Sequence, residues 1–369
     1  MLRMCVPCHF GLESVVNYEV RSVGGEDIET SDGRVCFSGS FETLAKANLR
    51  IASGERVLIE LGSFPATSFE ELYQGTKALE LERFVGKLDA FPVKGYSLGS
   101  KLHSVPDCQR IVKKAFVDRL SRIYGISYFE ETGAKRQIQF SILKDKVTVY
   151  LDSSGEGLHK RGYRRNSNAA PIKETLAAGI IDLARVRRDS VVCDPMCGSG
   201  TFLIESAFKA LKVAPGLRRS FAAEQWEQIP ASVWQEARAE AMAMIDKEGA
   251  FRAFGFDIDD MAVELTRANA KKAGVGSKLV VKVQDITKLE MPESCITLCN
   301  PPYGERMLEI KEAEELYKKL GQVLSPSREK PCYIISPHEE FEKFFGKKAD
   351  KKRKLYNGMI KCTLYMYFK

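Results

Sequence analysis

No run of about 18 apolar residues occurs in the 369-residue sequence, which excludes a membrane-spanning helix. The opening MLRMCVPCHF lacks the long apolar core of a secretory signal and runs straight into GLESVVNYEV, a helix pattern. The chain is therefore expected in the cytoplasm, where its ten cysteines read as reduced thiols. Cys5-Val6-Pro7-Cys8-His9 matches the C-x-x-C-H string of c-type haem attachment, but that chemistry needs export. The alternative is a first β-strand packing small thiols. The pairs Cys193/Cys197 and Cys295/Cys299 have no second C-x-x-C beside them, so no zinc or other metal site is expected. Neither a G-x-x-x-x-G-K-[ST] phosphate loop nor a G-x-G-x-x-G turn is present. Gly95-Tyr96-Ser97-Leu98-Gly99 does match the hydrolase string G-x-S-x-G, yet it lacks a partner histidine in a suitable series of strand ends. No internal repeat is visible.

What is present describes a globular protein. Hydrophobic residues make up 44% and charged residues 28%, and the length suffices for two or three domains. A formal net charge of +7 points, weakly, to a polyanionic partner.

The pattern divides into a small α/β front part and a larger α/β back part. Residues 1–60 alternate strand-like and helical runs in the rhythm of a split β-α-β unit. Residues 61–152 hold a helix in FEELYQGTKAL, a strand in AFPVKGYSL, a long amphipathic helix, and a strand pair turning at Lys144-Asp145. The stretch 153–171 is glycine-rich, basic and poor in large apolar residues, and reads as a linker. From Ile172 to the end at 369, strands and helices alternate. Apolar runs end at VVCDP, FRAFGFD, KLVVKVQD, CITLCNPP and PCYIISP, each stopping in polar, glycine or proline residues. Parallel strands do this at a ligand-binding carboxyl edge. The last two strand-like runs flank Asn357-Gly358, which predicts a type I′ hairpin.

Asp194-Pro195-Met196-Cys197-Gly198-Ser199-Gly200-Thr201 follows the first of these strands and opens the helix TFLIESAFKAL. Its glycines let the backbone turn tightly against a ligand, and the helix N-terminus offers free N–H groups. Asp257 ends the second strand, where a carboxylate can accept both hydroxyls of a ribose. Asp285 ends the third, within reach of an adenine amino group, with Ile258 and Ile286 placed to sandwich the ring. Each aspartate alone is equally a helix cap or turn residue. Three acidic strand ends in register with one glycine turn make a nucleotide-like cofactor the better reading.

The fourth strand ends in Asn300-Pro301-Pro302-Tyr303. Consecutive prolines fix the chain rigidly at the strand end. The Asn300 carboxamide oxygen and the Pro301 carbonyl then form paired acceptors for an sp² amino group. They would hold its nitrogen toward a methyl donor and accept the developing charge. Tyr303 offers a flat face for a base.

With the first motif about 100 residues earlier, this corner resembles the class I N-methyltransferases that use S-adenosyl-L-methionine (SAM). The likeness implies a C-terminal Rossmann-like sheet of seven strands with an antiparallel last strand. It extends through GLESVVNYEV, SGEGLHKRGYR, PIKETLAAGI, VAPGLRRSF and KLYNGMIKC to the bacterial 23S ribosomal RNA guanine-N2 methyltransferases of the RlmL/YpsC-like group. That resemblance implies a ferredoxin-like element over 1–60, a THUMP RNA-binding domain over 61–152, a linker over 153–171 and a methyltransferase domain over 172–369. It also implies that Thr175 and Leu176 lie near the methionine end of SAM, although TLAAGIIDLA reads equally as a buried helix. His159, Lys160, Arg161, Tyr163, Arg164 and Arg165 read either as RNA contacts or as a solvated basic linker. The later run Lys347 to Lys354 either binds RNA or keeps a sheet edge from pairing with other chains. The expected partner is 23S rRNA or a large-subunit assembly intermediate. A tRNA guanine-N2 methyltransferase and a non-catalytic RNA-binding assembly factor remain as alternatives.

Overall fold

The computed structural model describes residues 1–164, 172–303 and 310–369. Two seven-stranded sheets organise them. The first takes β1 (Leu2–Pro7), β2 (Glu26–Ser31), β3 (Arg34–Gly39), β4 (Leu58–Pro65), β5 (Val93–Leu98), β6 (Ile138–Leu143) and β7 (Lys146–Asp152), in the order β2-β3-β1-β4-β7-β6-β5. Helices α1 (Glu13–Ser22), α2 (Phe41–Arg50), α3 (Phe69–Ala78) and α4 (Val105–Tyr124) join one large apolar cluster with this sheet. Local chemistry sets their ends. Ser40 and Ser68 cap α2 and α3 by reciprocal bonds with Thr43 and Glu71, and Gly125 closes α4 in the left-handed region. Lys144 and Asp145 both take positive φ, as a two-residue type I′ hairpin requires.

The sheet crosses the boundary expected at residue 60. β4 pairs with β1 on one side and β7 on the other, so residue 60 lies inside a strand. Ser97 of the hydrolase-like string lies within β5 rather than on a strand-to-helix elbow.

The second sheet comprises β8 (Val191–Asp194), β9 (Arg252–Asp257), β10 (Leu279–Val283), β11 (Ile296–Cys299), β12 (Cys332–Ser336), β13 (Lys351–Asn357) and β14 (Ile360–Tyr367). Their order is β10-β9-β8-β11-β12-β14-β13; the first five are parallel and the terminal hairpin is antiparallel, as expected. Around it lie α5 (Glu174–Leu183), α6 (Thr201–Ala210), α8 (Asp260–Ala273), α9 (Ile310–Leu324) and α10 (Phe341–Phe345), whereas α7 (Ala231–Ala243) packs into the core of the front half. The hairpin differs from expectation by one residue. Asn357 pairs with Ile360, so the loop is Gly358–Met359, and positive φ falls on Gly358 alone (+65°). That is the pattern of a type II′ turn, which frees the Asn357 side chain for other work. No described helix is long and apolar enough to cross a membrane.

Helices α9 and α10 meet closely at Gly321, where a Cβ would lie 1.8 Å from the Phe345 carbonyl oxygen. Backbone cannot yield as a flexible side chain would. Gly321→Ala is therefore expected to lower stability by about 1–3 kcal/mol, despite alanine's better helix propensity. Urea unfolding checks this, and an unchanged midpoint would show that the contact is slack.

Candidate active site

Strand register gathers the predicted residues at one sheet edge. Cys193 of β8 lies opposite Thr297 of β11, so Asp194 and Asn300 end neighbouring parallel strands. On the other side of β8, Asp194 pairs with Gly255, and Val283 of β10 pairs with Asp257 of β9. Asp285 follows two residues beyond Val283.

The glycine turn is held from three directions. Its Gly198 N–H donates to Asp257 at 2.9 Å, which ties the first strand end to the second. Thr266 donates to the Gly198 carbonyl at 2.8 Å, and Asn269 donates to the Ser199 carbonyl at 3.0 Å. Both belong to α8, are buried, and were missed by the motif reading. Their signal was available: two polar residues three apart fall on the face that also carries Ala262, Val263 and Ala270. Cys197 packs inward with its sulfur beside Thr266, Pro195 is buried, and Ser199 and Thr201 face each other at 3.3 Å. Gly198 itself has φ +53°, with nothing within 4 Å of where a Cβ would stand. That leaves the turn open to a ligand.

Asp194 is buried and accepts one backbone N–H, from Met196. Burial, reinforced by the nearby charge of Asp257, pushes its carboxyl up to about 8. Such a group gains most from a cation placed against it. Asp257 also accepts from Asp259 N–H, so its two oxygens are aligned by backbone. Asp285 is half-buried and caps the following turn through Thr287; its bonds to Thr287 hold its carboxyl below the usual range. The two residues expected about the adenine ring differ in exposure. Ile258 stands exposed, whereas Ile286 is buried in the cluster beneath α9.

At the reaction corner the Tyr303 hydroxyl donates to the Asn300 carboxamide oxygen, and the Asn357 side chain lies close to the same hydroxyl. Tyr317 of α9 donates to the Pro302 carbonyl at 3.0 Å, fixing the proline turn from behind. The Tyr303 ring rests on the core, so only its outer face could stack on a base, and its immediate task is to orient Asn300.

The basic segment after residue 158 needs correction. Arg161 and Tyr163 are buried, and both donate to Glu205 of α6. Arg161 also donates to the carbonyl of Ala52, in the front half. Arg164 reaches Thr201 and the Ile172 carbonyl and pairs with Glu174. His159 lies near Glu55, and burial lowers its basicity; Lys160 is exposed and paired with Glu156. Arg165 lies outside the described residues. These side chains are mostly consumed inside the protein, where an ionised arginine must find an acid and carbonyls. Arg219, from the VAPGLRRSF insertion, donates to the carbonyls of Ser154, Glu156, Gly157 and Lys160, and burial brings its guanidinium down to about 10. Most of residues 153–164 are thus packed between the halves, with Glu156, Lys160 and Gly162 left exposed.

Thr175 and Leu176 are fully buried, and Leu176 belongs to the core. The Thr175 hydroxyl donates to Glu55 of the front half at 2.6 Å. Burial alone would raise the Glu55 carboxyl, but bonds from His9 and Thr175 and the charge of Lys173 hold it well below the usual range. No group of three or more potential metal ligands occurs among the described residues.

This fold and this strand-end constellation define a Rossmann-like methyltransferase. Family comparison agrees: the RMKL-like methyltransferase domain matches residues 161–366, the RlmL ferredoxin-like domain residues 3–58 and the THUMP domain residues 66–152. The chain belongs to the RlmL-like methyltransferase family. It is 42% identical to YpsC of Bacillus subtilis (strain 168) over 97% of this chain and 94% of that protein. It is 32% identical to ribosomal RNA large subunit methyltransferase K/L of Psychromonas ingrahamii, covering 100% of this chain but only 50% of that enzyme. Among solved structures, SMU.472 complexed with SAH superposes with a TM-score of 0.92 at 39% identity, over 100% of this chain and 98% of that one.

Two predictions follow from the turn and its acid. Asn269→Ala strands the buried Ser199 carbonyl and should cost about 1–3 kcal/mol in urea unfolding; no loss would mean that water replaces the amide. For Asp194 the folded value, about 8, stands above that of an unfolded carboxyl. The stability its proton confers is complete below the unfolded value and is lost as pH rises through 8. Asp194→Asn should flatten the decline in stability between pH 5 and 8. An equally steep decline in the variant would place its origin elsewhere.

Proposed function

We propose that this protein is a SAM-dependent RNA methyltransferase forming N2-methylguanosine in 23S rRNA. The observation that carries the reading is the placement of Asn300 at the strand end next to that of Asp194, where the glycine turn is open at Gly198. The residues fit SAM. The buried Asp194 carboxyl suits the methionine ammonium, and the aligned oxygens of Asp257 suit the ribose hydroxyls. Open space at Gly198 lets the ligand approach the backbone. The free terminus of α6 suits a carboxylate, and Ile258 gives the adenine an apolar face. When bound, SAM supplies an electrophilic methyl group on its sulfonium.

The chain's own contribution is to hold the acceptor amine. An amide oxygen has two lone pairs; Tyr303 occupies one on Asn300, leaving the other for an amino N–H. The Pro301 carbonyl takes the second N–H. Both acceptors then meet the positive charge that grows on nitrogen, and the surplus proton leaves to solvent after transfer. No nucleophile is needed, since alignment supplies most of the acceleration.

The corner serves any sp² amine, so the choice of RNA and of guanine rests elsewhere. RNA is supported by the THUMP domain and by the ribosomal RNA enzyme named among the relatives, of which this chain spans half the length. Guanine N2 rests on the group-specific motifs, VAPGLRRSF above all. A tRNA substrate would use the same chemistry. Mass spectrometry of nucleosides from rRNA and tRNA, with and without this protein, separates the two; methylguanosine lost only from tRNA would reject 23S rRNA. Asn300→Ala should keep SAH affinity by calorimetry yet lose at least about 100-fold in turnover. Undiminished turnover would refute the acceptor mechanism.

A further inference from the structure

The chain's positive charge is concentrated in one place. Between residues 347 and 361 stand six lysines and Arg353 against a single acid, Asp350, which is +6 of the formal +7. These residues build the terminal hairpin. Lys352, Lys354 and Tyr356 alternate along β13 and are all exposed, while the intervening Leu355 and Asn357 are buried. Lys361 of β14 lies opposite Tyr356 and is also exposed. Some of the charge is spent: Lys347 donates to the Pro326 carbonyl, Lys352 pairs with Glu342, and Arg353 donates to the Gly11 carbonyl. Among the described residues, Lys351, Lys354 and Lys361 make no side-chain hydrogen bond or ion pair.

The hairpin also points at the reaction corner. β12 ends at Ser336, opposite Thr363, so β14 begins three residues earlier and overshoots the carboxyl edge by about 10 Å. At that end Asn357 lies close to the Tyr303 hydroxyl, and Tyr303 holds Asn300. The tip residue Met359 is 99% exposed and Tyr356 is 40% exposed.

Guarding a sheet edge explains lysines on β13, the outermost strand, but not all of this face. Lys361 belongs to an inner strand, and an exposed tyrosine is a poor guard against association. We propose that the outer face of the β13–β14 hairpin is the track on which the RNA backbone docks. Lys354 and Lys361 neutralise phosphates, and Tyr356 stacks on a base beside the one delivered to Asn300. This assignment rests on the RNA reading above and adds to it the surface that guides the strand.

The test is fluorescence anisotropy with a labelled single-stranded RNA 20-mer, titrated over a range of salt concentrations, on the full chain and on K354Q/K361Q. Each phosphate contact on a single strand contributes about −0.7 to the slope of log affinity against log salt. The double variant should therefore bind RNA more weakly, with a slope shallower by about 1.4, while its SAH affinity by calorimetry stays unchanged. Tyr356→Ala should weaken RNA binding without altering the slope, and Tyr356→Phe should restore it. Wild-type binding with an unaltered slope in K354Q/K361Q would overturn the track alone. Failure of the wild-type chain to bind RNA would overturn the substrate reading and the track together.

Discussion

Everything at the carboxyl edge depends on how a flexible glycine turn is made rigid. Three anchors do it: the Asp257 carboxylate on the Gly198 N–H, and the Thr266 and Asn269 side chains on the two following carbonyls. Glycine permits the close approach of backbone to a ligand, but it costs order. Here the neighbouring strand end and one helix restore that order from opposite sides. Burial is the main cost of charging Asp194, and the same Asp257 adds to it, so one carboxylate touches both the geometry and the protonation of the turn.

The catalytic half was legible because its grammar is local. Each strand announces its end with an acid, a glycine or a proline, and the register then brings those ends together without further information. The terminal hairpin shows where local grammar stops. Asn357-Gly358 predicts one turn, and the structure uses Gly358–Met359, because Asn357 is buried and stays in the strand, paired with Ile360. Ile286 shows another side of this: its position in the motif suggests a ligand contact, and its packing against the apolar underside of α9 is not readable from the motif.

The basic segment His159 to Arg164 was the larger misreading, and its cause is physical. A run of cations with one aromatic has the same composition whether it meets phosphates or buried acids. Glu205 decides the matter, yet it sits on a helix some 40 residues away, on a face that looks wholly apolar in sequence. Placing an arginine and a tyrosine on one buried glutamate, with Ala52 on the far side, binds the two halves at the base of the cofactor helix. Removing either partner would leave a charge without solvent or counterion, about 3–5 kcal/mol by the behaviour of other buried pairs.

The front sheet carries one more implication. Because β4 pairs with β1 through Leu58 and Ile59 on one side and with β7 along its length on the other, the ferredoxin-like and THUMP elements share one sheet. They move as a single paddle, so whatever the THUMP surface grasps is delivered at a fixed angle. Any flexing that admits a bulky substrate must instead come from the seam where Arg161 and Arg219 fasten the paddle to the catalytic sheet.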